Sequence, residues 1–187
     1  IQVPLLCMEQ LDACLTALVQ QHDALRLRFV KTDNAYHQAY CSEIELPTRH
    51  DITITGLSET DLNGQLTRLQ SQFNYTDGPL WSVAYLTGYA DGSARLWFAF
   101  HHLIIDTVSW RILKDDLKEL YKGHSLLDKT SSYRQWVDAV DCYAKGHIED
   151  IPYWQSQLAD IPDYNCYKTP HQSCLLYTSP SPRDKRQ

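Results

Sequence analysis

The strongest strand signals in the chain, Leu80 to Thr87 and Arg95 to Ile105, are joined through Asp91-Gly92, and this pair of runs most constrains the fold. Asp-Gly tolerates the positive φ of a tight turn, so the two runs are predicted to pair as an antiparallel hairpin. The second run leads into His101-His102-Leu103-Ile104-Ile105-Asp106-Thr107-Val108-Ser109-Trp110, where a two-residue period gives way to a helical one. Beyond it, Trp110, Leu113, Leu117, Leu120 and Tyr121 mark one helix face that ends at Lys122-Gly123. A strand-to-helix connection is where folds aim side chains into a cleft, and this one gathers chemically active groups.

The rest of the chain supplies partners for that hairpin. Ile1 to Leu6 is apolar but contains Pro4, which confines it to a sheet edge. Leu11, Cys14, Leu15, Leu18 and Val19 recur at helical steps, and His22-Asp23 ends that helix. Leu25, Leu27 and Phe29 then alternate with Arg26 and Arg28 as in a half-buried strand, with a turn at Lys31 to Asn34 and a returning strand at Ala35 to Cys41. Strand-like pieces follow at Ile44 to Leu46 and Ile52 to Ile54. Ser58 with Asp61 makes a variant capping box for a helix carrying Leu62, Leu66, Leu69 and Phe73, and Asp77-Gly78-Pro79 turns the chain. Ser132 caps a helix with Tyr133, Trp136, Val137, Val140 and Ala144 on one face, and Pro152 opens a last one at Ile151 to Leu158. The order predicts an α/β fold, an open mixed sheet covered by helices, rather than a doubly wound parallel one.

Composition narrows the partners. A net charge of −6 with seventeen scattered basic residues repels a phosphate backbone, which argues against nucleic acid. The six cysteines form neither a chelating pair nor a compact disulfide framework, so they read as reduced thiols, with Cys7 and Cys14 expected in the core. No apolar run approaches membrane-spanning length and no signal peptide is read, which makes the cytoplasm the expected compartment, with no membrane partner. Ile1 is not an initiator methionine and opens inside a strand pattern, so the expectation is a fragment of a longer polypeptide. Residues 161–173 read as a linker or truncated end. Residues 174–187, with two Ser-Pro steps and a charged end, read as a disordered, non-native tail resembling translated sequencing-adapter read-through.

Adjacent histidines suggest a metal at first sight, but successive side chains of a strand point to opposite faces, so a shared ion is not expected. One imidazole should face the cleft and the other pack. A neutral imidazole can take a proton from an amine, a hydroxyl or an activated carbon. Asp106 could orient a histidine ring or pair with a strand arginine, and a structural His–Asp pair reads as well as a catalytic one. No Gly-x-Ser-x-Gly nucleophile accompanies the motif, so direct transfer with the substrate's own nucleophile fits better.

His101-His102-x-x-x-Asp106 resembles the HHxxxDG motif of the condensation-domain superfamily of nonribosomal peptide synthetases, relatives of chloramphenicol acetyltransferase. The longer HHLIIDTVSWRILKDDL, with VSWRIL after the histidines, is most similar to the epimerization-domain branch. His22 to Phe29, Asp77 to Leu80 and Ser131 to Trp136 resemble further elements of that superfamily, and the likeness covers residues 1–160. The resemblance implies a chloramphenicol acetyltransferase-like lobe, the N-terminal half of a two-lobed domain, with His102 as general base or proton-positioning group. His101 and Asp106 would shape the site, Asp106 pairing with Arg26, and Thr107, Ser109, Trp110 and Arg111 would flank it. The substrate would be an aminoacyl or peptidyl thioester on the phosphopantetheine arm of a peptidyl carrier protein, with no directly bound cofactor and with neighbouring synthetase domains as partners. Thr107 departs from the motif's Gly, which leaves open a noncatalytic carrier-binding module. The absent C-terminal lobe, with its glutamate, implies that the fragment alone has little activity.

Overall fold

The computed structural model describes residues 1–33 and 35–159. Its centre is the hairpin of β5 (Trp81–Thr87) and β6 (Ala94–Phe100), paired antiparallel from Trp81 opposite Phe100 to Leu86 opposite Arg95. Gly92, at φ +69°, supplies the left-handed residue that the turn requires. β4 (Arg49–Thr53) adds to β5 in parallel, and the short β1 (Gln2–Val3) adds to the far side of β6, giving a mixed sheet in the order β1-β6-β5-β4. Pro4 stands just past β1, at the edge where a missing N–H costs least. β2 (Leu27–Lys31) and β3 (Tyr36–Tyr40) form a separate antiparallel pair.

α1 (Met8–Gln21) buries Leu11, Cys14, Leu15, Leu18 and Val19, the full stripe expected of it, and the chain leaves it at His22. Beside it lies α3 (Thr107–Tyr121), which buries Leu113 and Leu117. These two helices cover Leu80, Trp81, Val83, Tyr85 and Leu96 of the hairpin in one core. His22, at the end of α1, meets Asp116 of α3 at 2.7 Å. α3 closes with Gly123 at φ +85°, where Gly123 N–H donates to Leu120 and His124 N–H to Glu119, the paired bonds that satisfy the last carbonyls of a helix.

α2 (Glu59–Gln70) starts at Ser58, whose hydroxyl oxygen accepts from Asp61 N–H at 3.1 Å, and its leucines are only half-buried. α4 (Tyr133–Gly146) begins with a complete capping box: Gln135 N–H donates to Ser132 Oγ at 3.2 Å and Ser132 N–H to Gln135 Oε1 at 2.7 Å. The chain's first compact part is Ile1–Trp136, and α4 runs on into a second that begins at Val137. α5 (Ile151–Leu158) has Pro152 in its first turn. None of the described helices is long and apolar enough to cross a membrane.

Four expectations are corrected. Leu25 is buried from a 3-10 turn at Asp23–Arg26, so the strand starts two residues later, at Leu27. Ile44 to Leu46 forms no strand. β6 stops at Phe100 rather than Ile105, because His101 N–H makes the last ladder-like bond, to Leu80, and the chain then turns inward to bury Ile104 and Ile105. Cys7 lies exposed at the N-cap of α1, whereas Cys14 is buried as expected. The cysteines at 166 and 174, like the tail, lie outside the described residues.

Candidate functional site

Three elements build the site: the end of β6, the turn behind it and the start of α3. Trp81 stacks on Phe100 at 5.6 Å and Phe98 on Phe100 at 5.8 Å, while Trp110 meets Phe100 edge-on at 4.9 Å. Phe98, Phe100 and Trp110 form the floor of an open cavity of about 520 Å³ lined also by Gln70, Phe73, Trp97, His101 and His102. A larger groove of about 910 Å³ lies between β4 and α2 and contains none of the motif residues. Its Arg49 is already engaged by Asp12 and Asp51, so the motif cavity is the better candidate.

The two histidines are held differently. His101 N–H donates to Leu80 at 2.8 Å, and the His101 carbonyl accepts from Ile104 N–H at 3.0 Å. Its ring takes Leu103 N–H on Nδ1 at 3.1 Å and meets the Tyr75 hydroxyl at Nε2, 3.2 Å away. Phe73 and Tyr75 clasp the ring edge to face, at 6.2 and 5.1 Å. His102, by contrast, is exposed on the turn, and among the described residues none hydrogen-bonds its ring. Ile104 and Ile105, each 6% exposed, anchor the turn in the core directly behind it.

Asp106 is the N-cap of α3. One carboxylate oxygen accepts from Ser109 N–H at 2.7 Å and from Ser109 Oγ at 2.6 Å. Those bonds, the hydroxyl's first, hold the carboxyl below the usual carboxylate range. The expected Asp106–Arg26 pair is absent among the described residues. Arg26 instead pairs with Asp23 and donates to the Cys41 carbonyl at 2.7 Å, tying the 3-10 turn to the end of β3. Burial raises the Asp23 carboxyl, but hydrogen bonds from Lys129 and Arg26 outweigh it and leave it lowered. Asp106 is thus spent on its own helix, which an Asp immediately before a helical stripe favours.

Thr107 is the first residue of α3 and is exposed, and no described non-glycine residue has positive φ. The backbone there makes no demand for the Gly of the family motif. Arg111 is exposed and Trp110 partly so, its ring on Phe100. Sequence reasoning missed Phe73 and Tyr75, which reach the site from the segment after α2. It also passed over the capping role of Ser109, for which the Asp-x-x-Ser spacing was a usable signal.

The fold of this lobe is shared with solved synthetase domains. An epimerization domain from the third module of tyrocidine synthetase B superposes with a TM-score of 0.69 at 24% identity, covering 92% of this chain and 40% of that one. The starter condensation domain of rhizomide synthetase RzmA superposes at 0.67 with 18% identity, covering 87% and 42%. The family model for the condensation domain matches residues 3–173, and the chain belongs to that family. It is 42% identical over 163 residues to N-(5-amino-5-carboxypentanoyl)-L-cysteinyl-D-valine synthase of Amycolatopsis lactamdurans, matching 86% of this chain and 4% of the synthase. The synthase of the same name from Penicillium chrysogenum is 38% identical over 153 residues, matching 80% and 4%. The chain therefore spans a small fraction of the curated synthetases that it matches.

Proposed function

We propose that this chain is the N-terminal lobe of an epimerization domain, in which His102 moves the α-proton of a peptidyl thioester. The observation that carries the reading is the contrast within the motif: His101 is engaged at both ring nitrogens, while the His102 ring stands exposed at an aromatic-floored cavity. VSWRIL, from Val108 to Leu113, supports the epimerization branch, and the name of the 42% identical synthase specifies a D-valine in its product.

In this mechanism the neutral His102 ring accepts the Cα proton, and the electron pair of the broken C–H bond passes into the thioester carbonyl as an enolate. Return of a proton to the opposite face gives the D residue. That second proton donor belongs to the other lobe, where the resemblance implies a glutamate. The substrate is carried on the phosphopantetheine arm of a peptidyl carrier protein, and the walls of Phe98, Phe100 and Trp110 offer apolar packing for such an arm. In this reading residues 1–160 would make up the lobe. The lobe alone holds half a site and has little activity.

The test is His102→Ala in the full synthetase that carries this domain, with the carrier-bound residue released and its configuration determined. The D residue should disappear; normal D content would sink the assignment. The match to the condensation-domain family favours a second reading, peptide-bond formation, with His102 assisting the acceptor amine. A parent module that joins two residues and leaves both in the L configuration would establish that reading instead.

A further inference from the structure

We propose that Tyr75 is a positioning residue, which accepts a hydrogen bond from Nε2–H of His101, holds that ring in place and so fixes the turn that presents His102. The argument begins with a donor that has no alternative role. Leu103 N–H points at His101 Nδ1 from 3.1 Å, and a peptide N–H can only donate, so Nδ1 is an acceptor and carries no hydrogen. In a neutral ring the proton then sits on Nε2, which faces the Tyr75 hydroxyl at 3.2 Å. Nε2–H donates, and the Tyr75 oxygen accepts. Both nitrogens of His101 are therefore occupied, and neither is free to take a proton from a substrate.

Tyr75 can hold the ring there because its own backbone is fixed. Its carbonyl accepts from Phe29 N–H of β2 at 2.7 Å. The preceding Asn74 closes a tight turn: its side-chain oxygen accepts from Thr76 N–H at 2.9 Å and Asp77 N–H at 3.1 Å, and its amide donates to Asp77 at 2.7 Å. From that frame the Tyr75 ring meets the imidazole edge-on at 5.1 Å while its hydroxyl holds Nε2. The clamped ring in turn holds Leu103 N–H, and the His101 carbonyl holds Ile104 N–H at 3.0 Å, so the two residues that follow His102 are both tied to His101. The sequence-distant pair Tyr75–His101 thus sets where the His102 ring can go.

Three measurements decide the proposal. In the full 187-residue chain with 15N-labelled histidine, at a pH where imidazoles are neutral, two-bond 1H–15N correlations should show His101 as the Nε2–H tautomer, assigned by the signal lost in His101→Gln. An Nδ1–H pattern overturns the proposal, and this result does not require Tyr75→Phe to fold. In Tyr75→Phe, amide exchange at Leu103 and Ile104 should quicken by roughly fivefold, as expected for losing one neutral hydrogen bond, with exchange at Leu15 of α1 unchanged. Unchanged exchange at the turn overturns it.

The third measurement rests on the epimerization reading: in the parent synthetase, Tyr75→Phe should lower kcat several-fold with KM unchanged. A loosened turn with full kcat would show that Tyr75 does not position His102. A wild-type parent that makes no D residue would instead refute the epimerization reading, leaving the tautomer and exchange results to decide the Tyr75–His101 clamp.

Discussion

The turn that carries His102 owes its position to two side chains behind it, and truncating one of them should be costly. Ile105 is 6% exposed and lies in the same buried cluster as Leu18, Leu80 and Leu113. Ile105→Ala removes three carbons, and at about 0.8 kcal/mol per buried methylene the transfer loss alone is roughly 2.4 kcal/mol. The void left between packed helices and sheet adds to this, so the expected loss is about 3–4 kcal/mol, within the range for such truncations. Ile105→Val should cost about 1 kcal/mol. Leu103, on the same turn, is 49% exposed. Leu103→Ala deletes as many carbons but returns fewer to water, and should cost about 1 kcal/mol. Urea unfolding followed by near-ultraviolet circular dichroism measures all three, with the dependence on urea unchanged if only stability has moved. A loss below about 1 kcal/mol for Ile105→Ala would refute the view that the histidine turn is anchored in the core.

Two further perturbations address Asp106. Its carboxyl is lowered by the Ser109 hydroxyl and then by the Ser109 N–H, so the cap's contribution is full above the ordinary unfolded value of about 3.9 and is lost as pH falls through the lower folded value. The amide shift of Ser109 should therefore titrate below the ordinary aspartate range in the wild type and not at all at that step in Asp106→Asn; titration at or above the ordinary value contradicts the cap. A pair of double-mutant cycles separates the two candidate partners of Arg26: coupling to Asp23 of about 1 kcal/mol, and coupling to Asp106 indistinguishable from zero. Coupling of about 1 kcal/mol or more between Arg26 and Asp106 would restore the ion pair that the resemblance implied.

The parts of the fold legible in the sequence are those whose cause is local. The buried face of α1 was readable to the residue because Leu11, Cys14, Leu15, Leu18 and Val19 all enter one core, and a stripe records a single buried face. The β5–β6 hairpin was readable from Asp91-Gly92 because its turn needs a residue that accepts positive φ. Strand ends were less readable: Leu103, Ile104 and Ile105 extend the apolar run of β6, and apolar character alone does not distinguish a strand from a turn whose side chains fold back into the core. Cys7 was misplaced for a related reason. An N-cap position lies outside the helical stripe, and small apolar character says nothing about which side of the boundary a residue occupies.

The site divides along the same line. Its histidines, the N-cap aspartate and the flanking tryptophan lie within a single short stretch, from His101 to Trp110, and their chemistry could be read from type and spacing. What distinguishes one histidine from the other comes from elsewhere in the chain: Tyr75 and Phe73, brought in by a turn that Asn74 closes and β2 anchors. Alternation along a strand was the wrong reason for separating the two rings, since β6 ends before either of them. The separation follows instead from hydrogen-bond arithmetic: an imidazole has two nitrogens, and at His101 one meets a peptide N–H and the other a tyrosine hydroxyl. His102 has neither, which is why the proposed proton transfer is assigned to it, while the Asp106 carboxylate is committed to Ser109 and holds the start of α3 in place.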